Sequence, residues 1–156
     1  MKARAMLVGL LVVGLATPTA WSHCQIPCGI YGDDARFTEM AEHVRTIEKS
    51  MLKIQELASA RKPDYNQLVR WVSNKEAHAD KLTEIVTWYF MAQRVKPADP
   101  ADKDAYGKYV EKLTLLHGMM VAAMKAKQTT DTQYTKQLTE LLDKFAHAYG
   151  AKTHKH

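Results

Sequence analysis

Most of the chain repeats apolar residues at alternating steps of three and four, which is the spacing of one face of an α-helix. Four such stripes follow one another, separated by short polar segments. In chain order they are Phe37, Met40, Val44, Ile47, Met51 and Ile54; Tyr65, Leu68, Val72, Ala79, Leu82, Val86 and Tyr89; Tyr106, Tyr109, Leu113, Leu116, Met120 and Ala123; and Tyr134, Leu138, Leu141, Phe145 and Ala148. No segment alternates apolar and polar residues strongly enough to predict a strand.

The residues between the stripes carry the signals of helix ends. Residues 33–34 are both Asp, which suits the cap and first turn of the first helix. Pro63 and Asp64 interrupt the pattern and can begin the second helix, while residues 97–100 hold two prolines that predict a turn. Gly150 is a plausible stop for the fourth helix.

Four helices with short links predict an all-α fold, an antiparallel four-helix bundle over about residues 34–150. The segment ahead of the bundle is different in composition. It divides into a leader at residues 1–22 and a short cysteine-containing hook at residues 23–31, so that the domain itself covers residues 23–156.

The leader has the composition of a signal peptide. Lys2 and Arg4 come first with no acid, and an apolar run of twelve residues follows at 5–16. Spanning a bilayer takes roughly 20 apolar residues, so this run is too short to be an anchor. We therefore expect an exported protein, periplasmic or secreted, with no membrane anchor after cleavage.

The cleavage point follows from the small residues Ala20 and Ser22, which fit the rule for signal peptidase and place the cut before His23. A lipoprotein signal would place a cysteine directly after the cut, whereas Cys24 comes one residue later. Cleavage removes Lys2 and Arg4 and no acid, so the formal net charge falls from +5 to +3.

The remaining 134 residues suit one domain of ordinary size. Acidic and basic residues are interspersed without a block of like charge, which gives nucleic-acid binding little support. A mild positive charge is compatible with a small anionic substrate, since surface charge raises encounter rates, and equally with solubility alone.

Both cysteines of the chain, Cys24 and Cys28, lie directly after the predicted cut. Their spacing has one residue more than the common zinc knuckle, and no second Cys or His pair closes a zinc tetrahedron. A disulfide is the usual state of two cysteines in an exported protein, but this one would close only a short loop and add little stability.

A chain that begins at His23 brings together a free amine, an imidazole and two thiolates. The amine of His23, the backbone amide nitrogen of Cys24 and its thiolate form fused chelate rings in one plane, and Cys28 can fill the fourth corner. A square-planar set of nitrogen and sulfur donors favours Ni(II) or Cu(II). The imidazole is left to bind axially.

Three other residues of this loop suit the same arrangement. Pro27 restricts the backbone between the thiols, and Gly29 permits a tight turn close to the metal. Tyr31 is placed to cover the open face and to offer a phenol to a small bound molecule.

Residues 23–31 resemble the metal hook of the nickel superoxide dismutases, whose pattern His-Cys-x-x-Pro-Cys-Gly-x-Tyr is matched at every fixed position. At the first variable position of this pattern the chain has Gln25, whereas an acid often follows the Cys in this hook. The aromatic residues 88–90 and the later Lys96 and Pro97 are also similar to that family, whose members are small four-helix bundles.

The resemblance implies an enzyme that converts superoxide to dioxygen and hydrogen peroxide, with one nickel ion per chain cycling between Ni(II) and Ni(III). It implies that Cys24 and Cys28 supply thiolates, and that Cys24 also supplies its amide nitrogen. His23 supplies its amine and a redox-dependent axial imidazole. Tyr31 gates the site and orients superoxide or water.

The family also steers the axial imidazole with a glutamate and a cationic side chain, and such partners fix the orientation of a ligand ring. We assign the glutamate to Glu39, with Glu42 as the alternative. Lys75 is the nearest match for the cation, although a member of the family has arginine there. The resemblance further implies a homo-oligomer, a hexamer of bundles.

Two other functions are compatible with the same residues. One is an exported helical protein that binds nickel or copper at the hook without catalysis. The other is a helical interaction module in which Cys24 and Cys28 form a disulfide.

Overall fold

The computed structural model describes residues 32–151, and these fold into four helices with no strand among them. The helices are α1 (Asp33–Ala58), α2 (Tyr65–Glu84), α3 (Lys103–Gln128) and α4 (Gln133–Tyr149); α2 continues without a break into a π-helical segment, Ile85–Arg94. The predicted all-α bundle is confirmed. The leader and the hook lie outside the described residues. Within the described range, no helix is long and apolar enough to cross a bilayer.

Neighbouring helices run antiparallel, as the pairs of side chains in contact along each interface show. Between α1 and α2, His43 meets His78 while the later Ser50 meets the earlier Asn74. The other interfaces follow the same rule, since the start of α1 meets the end of α4, and the end of α3 meets α2 at Lys75. The bundle is therefore up-down-up-down, with the start of α1 and the ends of the π-helical segment and α4 at one end.

The helix ends follow from local chemistry. The Asp64 side chain accepts a hydrogen bond from the backbone N–H of Gln67 at 3.1 Å and caps α2, and Asp102 caps α3 in the same way. Gly150 ends α4 in a left-handed conformation with φ of 81°, as predicted. Gly32 rather than Asp33 takes the cap position of α1, which leaves both predicted acids in its first turn.

The core is aromatic at the end where α1 begins. Phe37, Phe90, Phe145 and Tyr149 stack against one another with ring centroids 4.9 to 5.7 Å apart. The opposite end is filled by smaller side chains, Ile47, Met51, Ala79 and Ala126 among them. The first turn of α1 therefore lies at the end of the bundle that holds this aromatic cluster.

The prediction of which residues of α2 face the core is wrong for the first turns of this helix. Tyr65 is 74% exposed and Val72 is 40% exposed, although both belong to the apolar stripe. The inward position between Leu68 and Ala79 is taken by Lys75, whose ammonium donates hydrogen bonds to the backbone carbonyls of Ala126, Lys127 and Thr129. A buried lysine satisfies the last carbonyls of α3 there, so the apolar pattern is interrupted.

Candidate metal centre

The predicted metal ligands His23, Cys24 and Cys28, together with Pro27, Gly29 and Tyr31, lie outside the described residues, so their roles stay predictions. Their attachment point is described. Gly32 directly follows Tyr31, and its carbonyl accepts a hydrogen bond from the N–H of Ala35 at 3.0 Å as α1 begins. The hook is therefore tied to the aromatic end of the bundle.

A carboxylate at this attachment point is held by three donors from two other elements. Asp33 accepts hydrogen bonds from the hydroxyl of Tyr89 at 2.6 Å and the hydroxyl of Tyr149 at 2.8 Å, and it pairs with the guanidinium of Arg94. Arg94 also donates to the Tyr149 hydroxyl at 3.3 Å. Asp33 thereby fastens the first turn of α1 to the π-helical segment and to the last turn of α4.

The electrostatics of these groups keep Asp33 ionised. Burial alone would raise the pKa of Asp33, but the hydrogen bonds from Arg94, Tyr89 and Tyr149 outweigh it and lower the pKa below its ordinary value of 3.8. Burial and the bond to Asp33 raise the pKa of Tyr89 to about 12, so this phenol stays a donor. The hydrogen bond to Asp33 raises the pKa of Arg94.

Asp33→Asn is expected to lower the free energy of unfolding by about 2 kcal/mol at pH 7, because the charged hydrogen bonds to Arg94 and Tyr149 are lost. Since the folded-state pKa of Asp33 is lowered, its contribution is complete above the ordinary value of 3.8 and disappears as pH falls through the folded pKa. Urea unfolding from pH 7 to pH 2 should therefore show the difference between the two proteins shrinking with acid. Asp34→Asn, in the same exposed first turn, is the matched control and should change little. An equal loss in both variants would contradict the assignment.

The structure places Glu39 near the attachment point of the hook at Gly32 and Lys75 far from that point. Glu39 lies in the second turn of α1, where one carboxylate oxygen accepts from Arg36 at 2.5 Å. Lys75 lies at the level of Ser50, about 16 Å further along α1, since each residue of a helix rises about 1.5 Å. The structure therefore does not bring Glu39 and Lys75 together. Glu42, the alternative glutamate, is exposed.

Sequence reasoning missed the cation that does contact Glu39 and the histidine pair behind it. Arg36, three residues before Glu39, is at a helix spacing that allows an ion pair, and that spacing was a usable signal. His43 and His78 each precede a buried stripe residue by one position, and their rings meet between α1 and α2. From the sequence, neither histidine has a partner histidine at i+4, so each is predicted to be a surface or core-edge side chain rather than a ligand.

Within residues 32–151, no group of three or more His, Cys, Asp or Glu side chains is close enough to hold a metal ion. Both thiols of the protein belong to the hook. The chemistry of that donor set, two thiolates with amine and amide nitrogens, suits nickel, because soft sulfur and square-planar nitrogen donors favour Ni(II).

Comparison with known proteins gives one match. The family model described as nickel-containing superoxide dismutase matches residues 18–153, which include the whole hook and all four helices. No curated protein and no solved structure matches the chain.

Proposed function

The chain belongs to the nickel-containing superoxide dismutase family, and we propose that its nickel is held by the first six residues of a mature chain that begins at His23. The protein is a nickel-dependent oxidoreductase that converts two superoxide ions and two protons to dioxygen and hydrogen peroxide. The observation that carries the proposal is the match across residues 23–31, which contain both cysteines and every fixed residue of the hook.

Each ligand contributes a distinct property. Cys24 and Cys28 supply thiolates, the backbone nitrogen of Cys24 supplies an amidate, and His23 supplies its amine and its imidazole. Bound nickel supplies one-electron exchange between its divalent and trivalent states. Anionic sulfur and amidate donors stabilise the higher state, which a neutral donor set would not do.

The rest of the hook and the start of α1 position these donors. Pro27 and Gly29 shape the backbone between and after the thiols, and Tyr31 covers the open face and orients superoxide or water. Asp33, fastened by Tyr89, fixes the point from which the hook departs.

Glu39 steers the imidazole of His23 from the second turn of α1. The cation beside Glu39 is Arg36 rather than Lys75, because Arg36 already pairs with its carboxylate while Lys75 is committed to the end of α3. A guanidinium next to the carboxylate holds it in one orientation.

The surface next to the attachment point suits an anionic substrate. A groove of about 370 Å³ is lined by four cationic side chains, Arg94, Lys96, Lys108 and Lys112, and by no acid. Arg94 of this groove also contacts Asp33. Such a field raises the encounter rate of a small anion, so the groove attracts superoxide to the end of the bundle that bears the hook.

The leader at residues 1–22 directs export to the periplasm or the medium, where signal peptidase exposes His23. The exported bundles assemble into a hexamer. Exposed apolar side chains on the second helix and its continuation, Tyr65, Val69, Val72 and Trp88, support association between copies.

Native mass spectrometry of the exported protein tests these points together. We expect chains that begin at His23, one nickel ion per chain and six chains per particle, with superoxide removal measured on the same sample. Full-length protein kept in the cytoplasm is the control and should carry no nickel at the hook. A fully active exported chain that begins elsewhere would contradict the ligand assignment.

A further inference from the structure

Two histidines that the nickel site does not use meet between α1 and α2. The Nδ1 atoms of His43 and His78 are 3.0 Å apart, and their rings are 4.9 Å apart at an interplanar angle of 76°. His43 is only 7% exposed. A hydrogen bond between two nitrogens of the same type requires one ring to donate and the other to accept.

The far side of His43 faces Glu39. The Nε2 atom of His43 is buried and lies 3.9 Å from Oε1 of Glu39, with no hydrogen-bond partner within residues 32–151. Glu39 is partly exposed and its side chain can rotate, so a small movement closes this gap to a hydrogen bond. The other oxygen of Glu39 already accepts from Arg36.

The carboxylate selects the tautomers of both rings. A lone pair on Nε2 of His43 would face the negative charge of Glu39, which is unfavourable, so the proton of His43 lies on Nε2. Its Nδ1 is then the acceptor, and His78 must donate from its own Nδ1. His78 therefore donates its Nδ1–H to Nδ1 of His43, and the Nε2–H of His43 faces the Glu39 carboxylate.

Burial, with the surrounding charges, favours the neutral form of both rings. Burial lowers the pKa of His43 most, and the neighbouring His78 and, less strongly, Lys81 lower it further, while Glu39 and Glu42 oppose them. Burial and Lys81 likewise lower the pKa of His78, opposed by Glu42. A neutral imidazole has one N–H donor, so the direction of the hydrogen bonds from His78 through His43 to Glu39 is defined.

We propose that His43 and His78 are positioning residues for the dismutase reaction: His78 fixes the tautomer of His43, and His43 with Arg36 holds the Glu39 carboxylate in the orientation that receives the His23 imidazole. This rests on the proposed role of Glu39 beside the hook. Partners one step removed from a metal ligand act in this way, by fixing the ring that binds the metal.

The test compares two replacements of His78. His78→Asn keeps an N–H donor close to the position of Nδ1, whereas His78→Leu removes it. We expect His78→Leu to lower kcat by about tenfold at unchanged nickel content, the lower end of the range for losing a direct partner of a metal ligand, because His78 acts through His43 and Glu39. We expect His78→Asn to stay within about twofold of the native protein. His147→Gln, an exposed histidine on α4, is the control.

Nitrogen NMR of the nickel-free protein gives a readout that does not depend on activity. The native chain should show the proton of His43 on Nε2 and that of His78 on Nδ1; His78→Asn should keep the His43 tautomer, and His78→Leu should mix it. The opposite tautomers in the native chain, or an Asn variant as impaired as the Leu variant, would overturn the proposal. Failure of the native protein to bind nickel would instead overturn the hook assignment, and the tautomers would still decide the role of the pair.

Discussion

Cys24→Ser and Cys28→Ser are each expected to remove bound nickel and to lower the rate of superoxide removal by more than about 100-fold. Losing a residue that only contacts a metal ligand already lowers metal affinity or activity by about 10- to 100-fold, and these two residues are predicted to bind the metal themselves. A serine hydroxyl stays protonated at neutral pH and is a hard, weak donor, whereas nickel in this site requires soft anionic sulfur. Elemental analysis and the decay of a superoxide pulse measure the two losses.

The fold should survive both substitutions. Within residues 32–151, the core is built from side chains between Met40 and Ala146, with Phe37 packed against it. Helical circular dichroism and the melting temperature of the nickel-free proteins should therefore match those of the nickel-free native chain.

Ile26→Ala, between the two cysteines, is the matched control for the serine variants. It changes the same loop without removing a donor and should retain nickel. Activity that survives in both serine variants would exclude the thiolates as ligands. A thiol assay on the native protein that finds both cysteines oxidised and no metal would favour the disulfide-linked interaction module instead.

The bundle could be predicted because the spacing of apolar residues determines which face of each helix is buried. The stripe that contains Met40, Val44 and Ile47 is buried as the periodicity requires. The pattern was misleading at Tyr65 and Val72, because it does not show that a lysine can occupy an inward position. Lys75 does so by binding the carbonyls at the end of α3, which belong to a helix about fifty residues further along the chain.

The π-helical segment was not predictable for a related reason. Val95 donates its N–H to the carbonyl of Phe90, five residues back, and the consecutive Tyr89 and Phe90 of this segment are both buried. Burial of Tyr89 brings its hydroxyl to Asp33. Tyr89 and Asp33 are 56 residues apart along the chain, and periodicity within one helix does not report such contacts.

The candidate site likewise has one part that the sequence predicts and one part that it does not. The donor atoms of the hook follow from residue types and order, because one short segment contains them all. Arg36 and His43 lie on the same helix as Glu39, whereas His78 comes from α2 and depends on helix register. His43 and His78 meet only because α1 and α2 pack antiparallel at that register, so the sequence could not place His78 beside His43, which follows Glu39 by four residues on α1.

The free amine of His23 is as necessary as the thiolates in this account. A mature chain that retains Ser22 keeps both cysteines and the imidazole, but its His23 nitrogen becomes a peptide amide, which does not bind a metal unless it loses its proton. We expect such a chain to lose most of its nickel at equal free metal and to remove superoxide at background rate. Metal titration and the superoxide pulse assay measure both effects.

His23→Ala at an otherwise correct N-terminus separates the amine from the imidazole. This chain keeps the planar set of amine, amidate and two thiolates, so it should still bind about one nickel ion, in line with the square-planar preference of Ni(II). Its turnover should fall, because the imidazole that we propose is steered by Glu39 is absent. If the chain that retains Ser22 were as active as the trimmed one, the amine would not be a ligand, and Cys24 and Cys28 would have to bind the metal with other donors.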